Sequence, residues 1–214
     1  MIPFHKAKSI VQKHLFTLGE ETISLNDAGG RVLAQDIIAT FPSPLFDNSA
    51  MDGFAVLSRD TKDATPKNPV TLKLVGVSSA GTPSDIELEE GECIQCMTGA
   101  KIPHGADAII MVEDSSGFSD LDKVQITIEA FPGKHIRNCG EEIKEGERLI
   151  QKGTPITPSE IGTCATFGYG ELTVYNKPKI AIFGTGDELV EPRHALCDGQ
   201  IYNSNLYVFA ELAT

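Results

Sequence analysis

Between residues 51 and 130 the chain is cut into short apolar runs by turn-forming residues, and this spacing limits the fold more than any other feature. The runs occupy 70–77, 93–97, 108–112 and 124–128, and Gly, Pro, Asp and Ser fill the links between them. Each is short and rich in branched or apolar residues, so each reads as a strand. Regularly spaced strands of this kind predict a small antiparallel barrel or sandwich. Twenty glycines and twelve prolines against 7% aromatic residues fit a chain built largely from turns and short strands.

The flanking sequence has a different pattern. Residues 3–18 carry Ala7, Ile10, Val11, Leu15 and Leu18 at helical spacing, with Gly19 as the stop, which predicts an amphipathic helix. Lys6, Lys8 and Lys13 fall mostly on its other face. Short strands are expected at 22–25 and 36–39. Thr157-Pro158-Ser159-Glu160 is a capping box with proline at the first helical position. A helix is therefore expected to start there, to turn Ile161, Cys164 and Ala165 inward and to stop at Gly168. Alternation at 171–175 predicts another strand. The run 179–183 is short and continuously apolar after its lysine, the pattern of a parallel strand buried on both faces. A loop and a helix at 204–214 follow, with Leu206, Phe209, Ala210 and Ala213 on one side. One strand and one helix cannot complete a doubly wound sheet, so 179–214 is expected to open an α/β domain whose remainder is absent.

Composition excludes several function classes. A formal charge of −12 argues against a nucleic-acid footprint, which needs a basic face. No stretch approaches the ~20 continuous apolar residues of a membrane-spanning helix, and the N-terminus lacks the apolar core of a signal peptide. Five cysteines, an odd number in a chain too large to need stapling, point to free thiols in a reducing cytoplasm. Cys93-Ile94-Gln95-Cys96 has CxxC spacing, but residues three apart on a strand point to opposite faces. No second pair or histidine at ligand spacing completes a zinc site. No Ser/His/Asp or Cys/His nucleophilic arrangement is indicated; His135 stands out among the histidines only because Arg137 is close by.

Two stretches concentrate polar chemistry. Residues 47–53 pack Asp47, Asn48, Ser49, Asp52 and Gly53 between apolar neighbours. Composition alone leaves open whether this is a plain turn or a fixed loop that aims Asp52 and Ser49 at a ligand. Gly184-Thr185-Gly186-Asp187-Glu188 follows the expected buried strand, where open α/β sheets bind ligands. A dinucleotide fingerprint would need glycine at Leu189, and two carboxylates would repel a pyrophosphate unless Mg²⁺ bridged them.

The run Phe46-Asp47-Asn48-Ser49-Ala50-Met51-Asp52-Gly53-Phe54-Ala55-Val56 resembles the signature of the MoeA/gephyrin E-domain family, the molybdopterin molybdenumtransferases. Met97-Thr98-Gly99-Ala100, Arg137-Asn138-Cys139-Gly140-Glu141-Glu142 and the 184–189 stretch match in the family's order, so the resemblance covers essentially the whole chain. It implies an α+β fold. An elongated mixed first domain (1–50 and 131–178) carries an inserted small β-barrel-like domain (51–130), and 179–214 begin an α/β, MogA-like domain that is truncated. It further implies molybdenum cofactor biosynthesis: hydrolysis of adenylated molybdopterin coupled to insertion of molybdate, with release of AMP, in a homodimer whose cleft is shared between subunits. A molybdopterin adenylyltransferase is the implied substrate donor.

By this resemblance Asp52, Thr98 and Glu188 are the candidate catalytic residues. Ser49, Arg137, Gly184, Thr185 and Gly186 are candidates for substrate binding, and Asp187, Glu188 and Glu142 for Mg²⁺. Asn138 and Cys139 stand where many members carry basic residues, and Glu142 replaces the commoner aspartate, which lowers the positive charge of that loop. The alternative within the same family is a non-catalytic dimerisation or scaffolding module of the gephyrin E-domain type.

Overall fold

The computed structural model describes residues 2–119 and 122–213. Helix α1 (Phe4–Lys13) comes first, five residues shorter at its C-terminal end than the 3–18 pattern predicts, and none of its residues is buried. Short helices are marginal in water without tertiary packing, and this one buries no residue that would help prolong it. Strands β1 (Glu20–Ser24), β2 (Ile37–Ile38) and β3 (Asn48–Ser49) follow. Next come β4 (Gly53–Val56), β5 (Val70–Ser78), β6 (Glu92–Cys96), β7 (Ala108–Met111) and β8 (Lys123–Ile126). The chain continues through β9 (Ile136–Arg137), β10 (Arg148–Ile150), helix α2 (Pro158–Thr166) and β11 (Glu171–Tyr175). It closes with β12 (Leu189–Val190), β13 (Ile201–Tyr202) and helix α3 (Ser204–Leu212).

Pairing sorts these elements. The strands before residue 50 pair only with strands after residue 135, all antiparallel: β1 with β11, β2 with β10 and β3 with β9. Strands β4 to β8 pair only with one another, in the order β7-β4-β6-β5-β8. This sheet is mixed rather than purely antiparallel, because β5 and β6 run parallel. A parallel neighbour needs a long return connection, and residues 79–91 supply one.

The interior strand β4 is buried along its whole length and has core on both faces. Phe54 and Val56 meet Leu72, Ile110, Val124 and Ile126 on one face. Ala55 meets Ile94, Cys96, Ala100 and Ile109 on the other, with Ile136 from β9 packed against them. A separate core under α2 gathers Leu33, Ile37, Ile150, Ile156, Cys164, Leu172 and Val174.

Helix α2 begins at the expected residue. Thr157 is its N-cap: the hydroxyl accepts from Ser159 N at 3.3 Å, and the Glu160 carboxylate takes the Thr157 N–H at 2.9 Å and the Thr157 hydroxyl. Cys164 is buried and Ile161 half-buried, but Ala165 is exposed; Phe167, just past the helix, turns inward instead and stacks on Phe41 at 5.3 Å. Thr157→Ala is expected to cost about 1 kcal/mol, read as a lower urea midpoint at unchanged slope.

The C-terminal segment departs furthest from expectation. Residues 179–183 form no strand; Ile180 is 58% and Phe183 84% exposed. A strand buried on both faces exists only when neighbours bond its two edges, and no described segment bonds this one. Among the described residues of this region the sheet is the two-residue parallel pair β12–β13. Helix α3 is capped by Asn203, whose side chain accepts from Leu206 N at 3.3 Å, yet Leu206 is only half-buried and Phe209 and Ala210 are exposed.

Candidate functional site

Residues 43–50 form a ribbon that holds two of the sequence motifs in place. On one side, Ser49 N donates to Ala100 O at 3.0 Å and Gly99 N to Ser49 O at 2.8 Å. Ile102 N donates to Asp47 O at 3.0 Å on the same side. On the other side, β3 pairs with β9, setting Asn48 opposite Arg137 and Ser49 opposite Ile136. Ala50 N reaches His135 O at 2.9 Å, and His135 adopts a left-handed φ of 56°. The loop after Arg137 is tied back by Gly140 N to Pro44 O at 2.9 Å and by Glu142 N to Ser43 O at 3.0 Å.

The ribbon delivers Asp52 to Thr98. One carboxylate oxygen, Oδ1, accepts from both Thr98 N and Thr98 Oγ1 at 2.7 Å. The main-chain N–H, then the hydroxyl, holds the carboxyl below its usual value, so Asp52 is ionised at neutral pH. An ionised carboxylate is suited to take up a proton or contact a cation rather than to give up a proton. Both residues are exposed, so the charge faces solvent. Arg137, half-buried on β9, has no hydrogen bond or ion pair from its guanidinium among the described residues.

Ser49 is fully buried; its hydroxyl donates to Met51 O at 2.5 Å and accepts from Met51 N at 3.3 Å. Its hydroxyl therefore closes the turn that aims Asp52. Glu142 is exposed beside Ser43, whose hydroxyl donates to Glu142 Oε2 at 3.2 Å. Asp47, which sequence reading passed over as a site residue, joins both motif loops: its Oδ1 accepts from Cys139 N at 2.7 Å while its carbonyl takes Ile102 N. The available signal was an Asp opening an Asn-Ser turn, a pattern that commonly bonds nearby main chain.

The 184–188 stretch lies elsewhere. No hydrogen bond or ion pair joins it to the ribbon among the described residues. All five residues are exposed. The Glu188 carboxylate curls over Gly186, whose φ of 153° and missing Cβ leave it room; a Cβ there would sit 2.5 Å from Glu188 Oε2. Gly184 and Thr185 line a cavity of about 250 Å³ with Phe183, Tyr202 and Phe209, but Asp187 and Glu188 do not. Among the described residues no three His, Cys, Asp or Glu side chains are placed to share a metal ion. Among the described residues Asp187, Glu188 and Glu142 are thus not gathered into one such cluster.

Cys93 and Cys96 fall into the cores on opposite faces of the sheet, as strand alternation requires. Burial pushes their thiols up to about 12 and about 11. Cys139 and Cys197 are the exposed pair among the five free cysteines. A colorimetric thiol titration of the native chain at pH 8 is expected to count two fast thiols, and all five after denaturation.

Residues 2–168 match the family described as MoeA N-terminal region (domain I and II). The chain belongs to the MoeA family. Its 2–168 match takes in the Asp52, Thr98 and Arg137 motifs and stops short of 184–189. The molybdopterin molybdenumtransferase 2 of Mycobacterium tuberculosis is 41% identical over 88% of this chain and 46% of its own length. The molybdopterin molybdenumtransferase of Bacillus subtilis is 39% identical over 90% of this chain and 45% of its own. A crystal structure of the molybdopterin biosynthesis MoeA protein from Pyrococcus horikoshii matches with TM-score 0.89 at 32% identity, covering 100% of this chain and 56% of that one. The chain thus spans about half the length of the MoeA relatives it matches. No helix among the described residues is long and apolar enough to cross a membrane.

Proposed function

We propose that this chain supplies one wall of a site that inserts molybdate into adenylated molybdopterin with release of AMP. The observation that carries the reading is the Asp52–Thr98 pair, held ionised and facing solvent. Hydrolysis at a phosphate with transfer of an oxyanion needs a base or cation contact and donors for anions. Asp52 serves the first need; Arg137 and Thr98 serve the second. Phosphate chemistry of this kind uses a divalent cation, and Mg²⁺ belongs to the reading on that ground alone. Among the described residues no three acidic side chains gather around one ion.

The same reading carries a homodimer, a molybdopterin adenylyltransferase as the substrate donor and a cytoplasmic location. It also divides the chain at residues 50, 130 and 178, with 179–214 belonging to an α/β domain. Relatives of twice the length support the further expectation that this chain alone gives no turnover with adenylated molybdopterin, molybdate and Mg²⁺. The test is a chimaera in which residues 2–168 replace the corresponding region of the Bacillus subtilis relative. Release of AMP with formation of molybdenum cofactor is the expected result. A folded chimaera that binds its substrates and turns nothing over sinks the catalytic reading in favour of a scaffold.

A further inference from the structure

We propose that the pocket between residues 45–47 and 101–106 binds a small organic anion with an apolar body. The pocket measures about 480 Å³, and neither Asp52 nor Thr98 lines it. Its floor is apolar: Leu45 and Phe46 are 57% and 38% exposed, far more than the core aromatics and aliphatics. Lys101 and His104 stand on one wall, and neither side chain has a hydrogen bond or ion pair among the described residues. In a chain of charge −12, a lysine left without an acidic partner among the described residues is a local positive charge on that wall.

The main chain points the same way. The N–H groups of Phe46, Asp47, Lys101, His104 and Gly105 donate to no protein acceptor among the described residues. Clustered free amides beside a lysine make a concavity suited to an anion. Main-chain contacts hold the 103–106 part of the lining. Ala106 N donates to Pro103 O at 3.2 Å, and Leu88 N to His104 O at 2.9 Å. Gly105 takes a φ of 89°, and a Cβ on it would meet the Leu88 carbonyl oxygen at 2.6 Å. Asp47 is the one carboxylate in the lining, and its Oδ1 is bonded to Cys139 N at 2.7 Å on the opposite wall. An anionic oxygen group therefore sits against 101–105 while its apolar body lies on Leu45 and Phe46. A phosphate monoester and a carboxylate share this chemistry.

Calorimetric titration of the 214-residue chain with phenyl phosphate, benzoate and benzyl alcohol tests it. An anion is expected to bind with a Kd of about 1 mM, and the neutral alcohol about tenfold more weakly. The tighter of the two anions identifies the head group. Lys101→Gln is expected to weaken the anion about tenfold, whereas Asp47→Asn, which keeps the acceptor for Cys139 N, tightens it. Amide NMR shifts should centre on 46, 47, 101, 104 and 105. Three results overturn the proposal: no saturable binding up to about 10 mM, equal binding of the alcohol, or a Kd unmoved by Lys101→Gln. None of these measurements involves molybdenum chemistry, so their failure leaves the reading of the Asp52 site where it stood.

Discussion

Replacing Gly53 with alanine is expected to destabilise this protein more than any other single methyl addition. Gly53 opens the interior strand β4 and pairs with Cys96 on one side and Met111 on the other. A Cβ at this position would lie 1.9 Å from the carbonyl oxygen of Ile110, 2.9 Å from its carbon and 3.0 Å from Met111 Cα. All three are main-chain atoms of β7, so no side chain can rotate away; β7 itself must shift. That shift would open the paired core formed by Phe54, Val56 and Ile110. Overpacking of a rigid site typically costs 1–3 kcal/mol, and a backbone clash belongs above that range, so a loss of about 3 kcal/mol or more is expected. Gly162→Ala in α2 is the matched control. It meets nothing within 4 Å and has no left-handed φ, so it should stabilise by about 0.5–1 kcal/mol. Urea denaturation of both variants decides the matter; a neutral Gly53→Ala would mean that β4 and β7 do not pair as described.

Gly53 also marks how far the sequence could be read. Short strands with turn punctuation located β5 to β8 within one or two residues, because alternation and β-branching act locally. The capping box located α2 for the same reason: every group it needs lies within four residues. The parallel pairing of β5 with β6 was not legible, since it depends on where the 79–91 connection runs. Nor was the state of 179–183. Its apolar pattern gives the burial that a strand would seek, not the presence of partners to provide it. In the site, the Asp52–Thr98 contact spans 46 residues. Family motifs pointed to both residues, but the bond itself arises from the register of β4 with β6, which sets Gly53 opposite Cys96. Asp47 escaped notice because its role is to tie two distant loops, and nothing in a seven-residue stretch shows what lies across from it.

Asp52→Asn in the chimaera with the Bacillus subtilis relative is expected to lower turnover about 100-fold or more while leaving the fold in place. Asparagine keeps an oxygen to accept from Thr98 N and Oγ1, so the loop geometry persists and only the charge is lost. Because the carboxylate is exposed, solvent screens its contribution to stability, and thermal midpoints should scarcely move. The sign of its pH dependence is fixed. The folded carboxyl titrates below its usual 3.8, so its stabilising bond is fully present above the unfolded value and is lost as pH falls through the lower folded one. Asp52 is thus ionised throughout the neutral range, and the activity of the parent chimaera should show no acidic limb from this group between about pH 5 and 8. Thr98→Val removes the hydroxyl donor but keeps the main-chain one; it should raise the Asp52 pKa part of the way back and reduce turnover less than Asp52→Asn does. Normal turnover in a folded Asp52→Asn chimaera would assign this carboxylate to holding the turn at Thr98 and would leave the 47–53 loop without a chemical role.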